Sequence, residues 1–333
     1  PGIPALMELA HSKWGKKPWK DLFERATTLA ERGFIVSDRL SGLLAHERDR
    51  MSLSAQAKSY FFPRDEPLAQ GDVLINREYA NLMRQLSNHG SGVFYFGKVA
   101  DAIVNTVRER NANPGFLNHV DLANYKIKER PPICIKFRSY DVCGMGPPSS
   151  GAIGVGQILG IIDFFPRGKI QDPHTLRLIG DATRLAFADR GRYIADPDFV
   201  DVPAKELVDE QYLQRRASLL NGRKAIPFAT AGKPKGSLSY KWAPDLSIDK
   251  VSTTHVSIID RYGNALALTS SIENAFGSRL MTNGFLLNNQ LTDFSFKSSV
   301  NGTLTANRVE GGKRPRSSMA PTIVLEDGKL VLV

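Results

Sequence analysis

Val251-Ser-Thr-Thr-His-Val-Ser-Ile-Ile-Asp260 places two adjacent threonines at the head of an alternating apolar stretch, which reads as a buried strand. Arg261-Tyr-Gly-Asn264 follows as a turn, and Ala265 to Ser271 as a second strand. Pairing about a turn centred on Tyr262 sets Thr253 opposite Ser271, because cross-strand neighbours are the natural contacts of a hairpin. Threonine is a favoured strand residue, and packing alone accounts for most such pairs. A threonine becomes a nucleophile only when a base is at hand, and cleavage of the chain before Thr253 would supply one, the freed α-amino group of the same residue. His255 reads as a core or supporting residue.

The segment before this hairpin, Asn221 to Lys250, is rich in Gly, Pro, Ser and Lys and lacks periodicity, so an exposed loop is expected there. A bond that must be attacked and whose new end must swing away belongs at the end of such a segment. Upstream, apolar residues recur at helical spacing over 19–32 (Leu22, Phe23, Ala26, Leu29, Ala30), ending at Gly33. Further helices are expected over Tyr79–Ser87, Lys98–Arg110, Ile153–Phe165, Thr175–Tyr193 and Tyr212–Leu220. Residues 133–143 read as a hairpin with Ile135, Phe137 and Val142 on one face. With Arg138-Ser139 as its two-residue loop, Cys134 stands opposite Cys143, within disulfide reach. A bridge and two neighbouring free thiols both stay open.

The chain has 333 residues, 42% of them hydrophobic, enough for a large core. The longest apolar run, Ile153 to Phe165, contains Gln157 and Asp163 and is too short to span a bilayer. The net charge of +10 raises nucleic acid as a partner, but Lys16-Lys17, Arg215-Arg216, Arg223-Lys224 and Lys313-Arg314 are scattered and no aromatic ladder accompanies them. A solvated basic surface is the expectation, with no nucleic-acid partner. The six histidines show no metal-ligand spacing, and neither metal nor cofactor is implied. In GAIGVGQILG, Leu159 occupies the third glycine position of a dinucleotide frame, so close helix packing accounts better for the glycines. Asn301-Gly-Thr303 is a glycosylation sequon by pattern only.

Three downstream blocks, GNALALTSSIENAFGSRL, GFLLNNQLTDFSF and GGKRPRSSMAPTIV, follow the threonine pair in compact order. With the upstream ERGFIVSD, VDLANYKIKERPP, GPPSSGAIG and LAFADRGRYIADPDFVDVP, the whole chain resembles the γ-glutamyltransferase family of N-terminal-nucleophile hydrolases. The resemblance implies an α+β fold, a four-layer α/β/β/α sandwich. It also implies self-cleavage between Ser252 and Thr253 into a large-subunit portion, 1–252, and a small-subunit portion, 253–333, which associate as one structural domain. Thr253 matches the catalytic threonine, and Ser271 stands where a second, orienting threonine is usual. Gln290 and Asp293 match contacts to the donor α-amino group, and Ser317 and Ser318 match the pair that binds its α-carboxylate. Glu273 replaces a common asparagine, which puts donor preference in question.

The implied activity is cleavage of γ-glutamyl amides such as glutathione through a γ-glutamyl-threonine ester, resolved by water or by an amino-acid or peptide acceptor. The twenty positions from Asp293 to Lys313 are short for a lid, so an open pocket and a balance toward hydrolysis are expected. A cephalosporin or glutaryl acylase is the alternative enzyme, and an inactive remnant with a basic binding surface the alternative from another class. The resemblance further implies a chain truncated at both ends, with an upstream arginine and the oxyanion-hole glycines lying outside it, so activity of the isolated chain stays open. Residue 1 opens Pro-Gly-Ile-Pro without a signal-peptide pattern, and the periplasmic or extracellular location is implied by the family alone.

Overall fold

The structure, a computed structural model, describes residues 2–110, 113–236, 241–245 and 253–333. Its helices are α1 (Gly2–Trp14), α2 (Glu24–Arg32), α3 (Asp38–Met51), α4 (Ala55–Phe61), α5 (Arg77–His89), α6 (Gly92–Tyr95), α7 (Lys98–Arg108), α8 (His119–Ala123), α9 (Gly151–Ile162), α10 (Pro173–Tyr193) and α11 (Glu210–Ser218). Its strands are β1 (Phe34–Ile35), β2 (Val73–Leu74), β3 (Ile133–Phe137), β4 (Tyr140–Gly144), β5 (Thr254–Ile259), β6 (Ala265–Ser270), β7 (Met281–Thr282), β8 (Phe285–Leu286), β9 (Ser299–Val300), β10 (Thr303–Leu304), β11 (Thr322–Glu326) and β12 (Lys329–Leu332). The chain divides into two compact units, one running to Glu129 and adding Ile272–Asn289, the other holding Arg130–Ser271 and Gln290–Val333. Each unit draws on residues from both sides of position 253.

In the first unit α5 shows how the local sequence fixes an element. The Asn76 side chain caps the helix by accepting from Tyr79 N at 2.9 Å, and its amide donates to the Gly284 carbonyl at 2.8 Å. Ala80, Met83 and Leu86 recur on one buried face, and Gly90, at a φ of 74°, ends the helix. That face packs with Val99, Ile103 and Val104 of α7. A second cluster gathers Leu44, Met51, Phe61, Phe276 and Met281. The helix expected over 19–32 divides instead at Phe23, into a 3₁₀ turn (Trp19–Phe23) and α2. Leu22 and Leu29, read as core positions, are 50% and 55% exposed, because the covered side of this stretch is the one that carries Trp19, Phe23, Thr27 and Ala30. Helices α1, α3 and α4 were not legible from periodicity.

The second unit is built on an antiparallel sheet in the order β12-β11-β4-β3, with α9 packed between the sheet and α10. The β3–β4 register pairs Phe137 with Tyr140 and Cys134 with Cys143, as the two-residue loop requires, and the two cysteines are bridged. Gly156 explains the glycine-rich helix. A Cβ there would lie 3.0 Å from Ile135 of β3, so glycine lets α9 settle on the sheet.

The β5–β6 hairpin has the expected register, with Thr254 opposite Ser270 and Ile259 opposite Ala265. Its turn is closed by Asp260, whose carboxylate accepts from the Tyr262 and Asn264 amides, with Gly263 at a φ of 83°. Burial is where the expectation fails. Every residue of β5 is exposed, Ile258 by 48% and Ile259 by 54%. Apolar alternation buries a strand only if a layer covers it, and among the described residues β5 and β6 pair only with each other. His255 is likewise exposed rather than core, bridging Thr269 at 2.7 Å and Ser257 at 3.1 Å.

The loop beyond α11 is exposed but anchored over its first part. Buried Asp181 and Asp189 of α10 accept from the backbone of Ile226 at 3.2 Å and Gly232 at 2.7 Å. Arg184 donates to the Ile226 carbonyl at 2.6 Å, and Tyr193 to that of Gly232 at 2.7 Å. Residues 237–240 and 246–252 lie outside the described ones.

An ion pair in the first unit yields a pH-dependent expectation. Arg279 Nε donates to Glu47 at 2.7 Å, with the two side chains 16% and 10% exposed. That hydrogen bond holds the Glu47 carboxyl below its ordinary value, against the opposing effect of burial. The contribution is therefore complete above the ordinary glutamate range and is lost as pH falls through the lowered folded value. Glu47→Gln should cost about 3 kcal/mol near neutrality, with the gap to the parent closing in acid. Urea unfolding at the two pH values measures it, and a gap of the same size at both would refute the assignment.

Candidate active site

The hairpin delivers two hydroxyls to one place. Thr253, one residue ahead of β5, donates through Oγ1 to Ser271 Oγ at 3.4 Å, one residue past β6. The pairing is the direct continuation of the ladder, so it needs no long-range constraint. Thr253 is exposed, and Ser252 falls outside the described residues. Just beyond, Gln290–Asp293 forms a 3₁₀ turn, and Gln290 Nε2 donates to the Ser271 carbonyl at 3.3 Å. Asn307 Nδ2 steadies the end of that turn by donating to the Asp293 carbonyl at 2.8 Å. Thr253, Ser271, Gln290 and Asp293 thus lie along one connected stretch of the second unit.

Glu273 belongs to the first unit. It is 8% exposed with a φ of 73°, a left-handed conformation that costs a non-glycine residue free energy. Asn289 Nδ2 donates to its carboxylate, and Asn289 Oδ1 accepts from Asn274 N at 3.0 Å.

Ser317 and Ser318 form a separate group, and its supports are the residues that sequence reasoning missed. The segment from Pro148 to Gly151 is strapped to that from Ser317 to Ala320. Ser317 N donates to the Pro148 carbonyl at 3.1 Å, and Ser150 N to the Ser317 carbonyl at 2.9 Å. Ser317 Oγ donates to Ser149 Oγ at 3.1 Å, and Ser149 donates to the Met319 carbonyl. Arg190, near the end of α10, sends Nε to Ser150 Oγ and Nη2 to Ser318 Oγ, both at 2.9 Å. Arg316 pairs with Asp245 at 2.9 Å, both side chains almost wholly buried, and donates to the Arg190 carbonyl at 3.3 Å. GPPSSG and the Asp-Arg of AFADRGRY carried these partners in plain sight, but nothing in the local sequence says that they meet.

Two basic residues expected on a solvated surface are inside. The Lys313 ammonium is fully buried and donates to Glu310 at 2.7 Å and to the Ala306 carbonyl at 2.8 Å. Burial pulls its pKa below the ordinary lysine value, with Glu310 acting in the opposite direction. Arg216 is 4% exposed and donates to the carbonyls of Leu185 and Thr230. Among the described residues no three metal-ligating side chains lie together.

A family model described as Gamma-glutamyltranspeptidase matches residues 1–333. The "Glutathione hydrolase proenzyme" of Bacillus subtilis strain 168 is 36% identical over 342 residues, covering 100% of this chain and 57% of that protein. The "Acylase ACY 1 proenzyme" of Pseudomonas sp. strain SE83 is 30% identical over 325 residues, covering 96% of this chain and 54% of its own length. The crystal structure of cephalosporin acylase from Bacillus halodurans superposes with a TM-score of 0.84 at 22% identity, over 98% of this chain and 57% of that one. The chain therefore spans little more than half the length of these relatives. The α+β fold of the N-terminal-nucleophile hydrolase type, expected from the sequence, is borne out by this structural likeness.

The strap makes its own prediction. A Cβ on Gly151 would lie 2.2 Å from the Met319 carbonyl oxygen and 2.6 Å from Ala320 Cα, backbone atoms that cannot move aside cheaply. Gly151→Ala should cost about 1 to 3 kcal/mol of stability. Gly154→Ala, in the same helix with nothing within 4 Å, should be neutral or stabilising. Thermal melts of the two variants decide it; equal melting temperatures would refute the close approach.

Proposed function

The chain belongs to the γ-glutamyltranspeptidase family, and from that premise we propose that the protein containing it cleaves γ-glutamyl amides of the glutathione type through Thr253. The observation that carries the proposal is the contact of Thr253 Oγ1 with Ser271 Oγ at 3.4 Å, at the head of a hairpin whose register fixes it.

In the precursor the Thr253 hydroxyl attacks the carbonyl of Ser252. The peptide bond becomes an ester and its nitrogen the Thr253 amine, and water then hydrolyses the ester. The freed amine takes the Oγ proton as the hydroxyl attacks the γ-carbonyl of the donor. The amine product leaves with a proton, and water or an acceptor amine resolves the γ-glutamyl ester. Ser271 orients the nucleophile. Gln290 and Asp293 accept from the donor ammonium, and Ser317 and Ser318 donate to its carboxylate, because a zwitterion needs acceptors at one end and donors at the other. The two portions, 1–252 and 253–333, stay together after cleavage. Support for that comes from β11 pairing with β4 along five residues, and from Ser317 tied to Pro148 and Ser150. A periplasmic or extracellular location is supported by the Cys134–Cys143 bridge, since disulfides persist in oxidising compartments. No helix among the described residues is long and apolar enough to cross a membrane.

A second reading, a cephalosporin or glutaryl acylase, is favoured by one observation, the 30% identity to the Acylase ACY 1 proenzyme over 96% of this chain. Comparing γ-glutamyl and glutaryl p-nitroanilides, which differ only in the α-amino group, separates the two.

Two outcomes are expected. Full-length precursor should yield a small subunit beginning at Thr253, and Thr253→Ala should leave one uncut chain. Mass spectrometry that finds another N-terminus would overturn the assignment. Asp293→Ala should raise KM for γ-glutamyl-p-nitroanilide by the equivalent of about 2 to 5 kcal/mol if its ion pair with the donor is desolvated. An unchanged KM would show that the pocket reads something else.

A further inference from the structure

We propose that Arg190 is a positioning residue for the donor carboxylate: it holds Ser318 so that its hydroxyl meets the carboxylate as a hydrogen-bond donor. The inference rests on the proposed γ-glutamyl activity and adds to it a residue outside the matched blocks that follow Val251.

A guanidinium can only donate, so the contact from Arg190 Nη2 at 2.9 Å makes Ser318 Oγ an acceptor on that side. A serine hydroxyl has one proton, and a carboxylate offers only lone pairs. Once Ser318 accepts from Arg190, any bond it makes to an anion is made with that proton, polarised by the cation behind it. The second arm gives the group its aim. Nε donates to Ser150 Oγ at 2.9 Å, and Ser150 Oγ donates to the Ser317 carbonyl at 3.0 Å. One planar fork thus spans both sides of the strap, and the Arg316 contact to the Arg190 carbonyl at 3.3 Å fixes the backbone behind it. Arg190 is 7% exposed, so its charge is felt at Ser318 with little screening by water. A lysine, a point charge on a flexible stem, cannot serve both hydroxyls with this geometry.

The test uses the full-length, self-cleaved protein. Arg190→Lys should raise KM for γ-glutamyl-p-nitroanilide roughly ten- to hundredfold, the loss expected for a charge-assisted hydrogen bond, while kcat changes by about twofold or less. The 4-aminobutyryl amide is the same substrate without the α-carboxylate, and its kcat/KM should be the same in the variant and the parent. A merely structural role would depress both substrates alike, and that result would overturn the proposal, as would an unchanged KM. Ser150→Ala removes the Nε anchor together with the hydroxyl's bond to the Ser317 carbonyl, and should raise KM several-fold with the same substrate selectivity. If Arg190→Lys fails to fold, an unaltered KM in Ser150→Ala overturns the proposal alone. A parent protein with no activity on γ-glutamyl-p-nitroanilide would instead sink the functional reading on which it rests.

Discussion

A buried guanidinium keeps its place only if its donors find acceptors, because an uncompensated charge away from water costs several kcal/mol, roughly what a whole domain has to spare. Arg190 and Arg316 impose that constraint on the second unit. Their acceptors come from four separated stretches: Ser150 at the start of α9, Ser318 in the strap, Asp245 before the β5–β6 hairpin, and the carbonyl of Arg190 at the end of α10. Satisfying both cations at once brings these stretches to fixed positions. The strap between Pro148–Gly151 and Ser317–Ala320 follows, and with it the placing of the serine pair and the attachment of β11 to β4.

Asp245 links this network to the segment that leads into Thr253. It accepts from both Arg316 and Ser295, the latter at 2.6 Å, so the chain is held on one side of the undescribed stretch. On the other side, residues 226–232 are pinned to α10 and α11 by Asp181, Asp189, Arg184 and Arg216. Residues 226–232 are thereby anchored, since every backbone group that α10 captures is one the loop cannot exchange with water. The high charge of the chain has the same explanation in part. Arg190, Arg216, Lys313 and Arg316 are buried cations, each bonded to backbone carbonyls, hydroxyls or a paired acid.

Sequence reading succeeded wherever the determinant was local. The β5–β6 register follows from a tight turn at Tyr262-Gly263, and that register alone puts Thr253 beside Ser271. The β3–β4 register follows from a two-residue loop in the same way, and it set the cysteines opposite each other while leaving their bonding open. Helices with strong one-sided periodicity and clear stops, such as α5 and α7, were legible, whereas α3, whose apolar residues are less sharply segregated, was not.

What the sequence by itself determined was therefore the set of short-range features: the two hairpins, the helices with one-sided periodicity, and the adjacency of the two hydroxyls. Tertiary structure decided which apolar faces are covered, leaving β5 in solvent despite its alternation, and it decided which charges go inside. It also decided that Arg190 reaches both Ser150 and Ser318, 40 and 128 positions away. Pairing across a turn is fixed by backbone geometry over a few residues. Burial and long-range ion pairing depend instead on what the rest of the chain brings to the same place, and no local pattern carries that information.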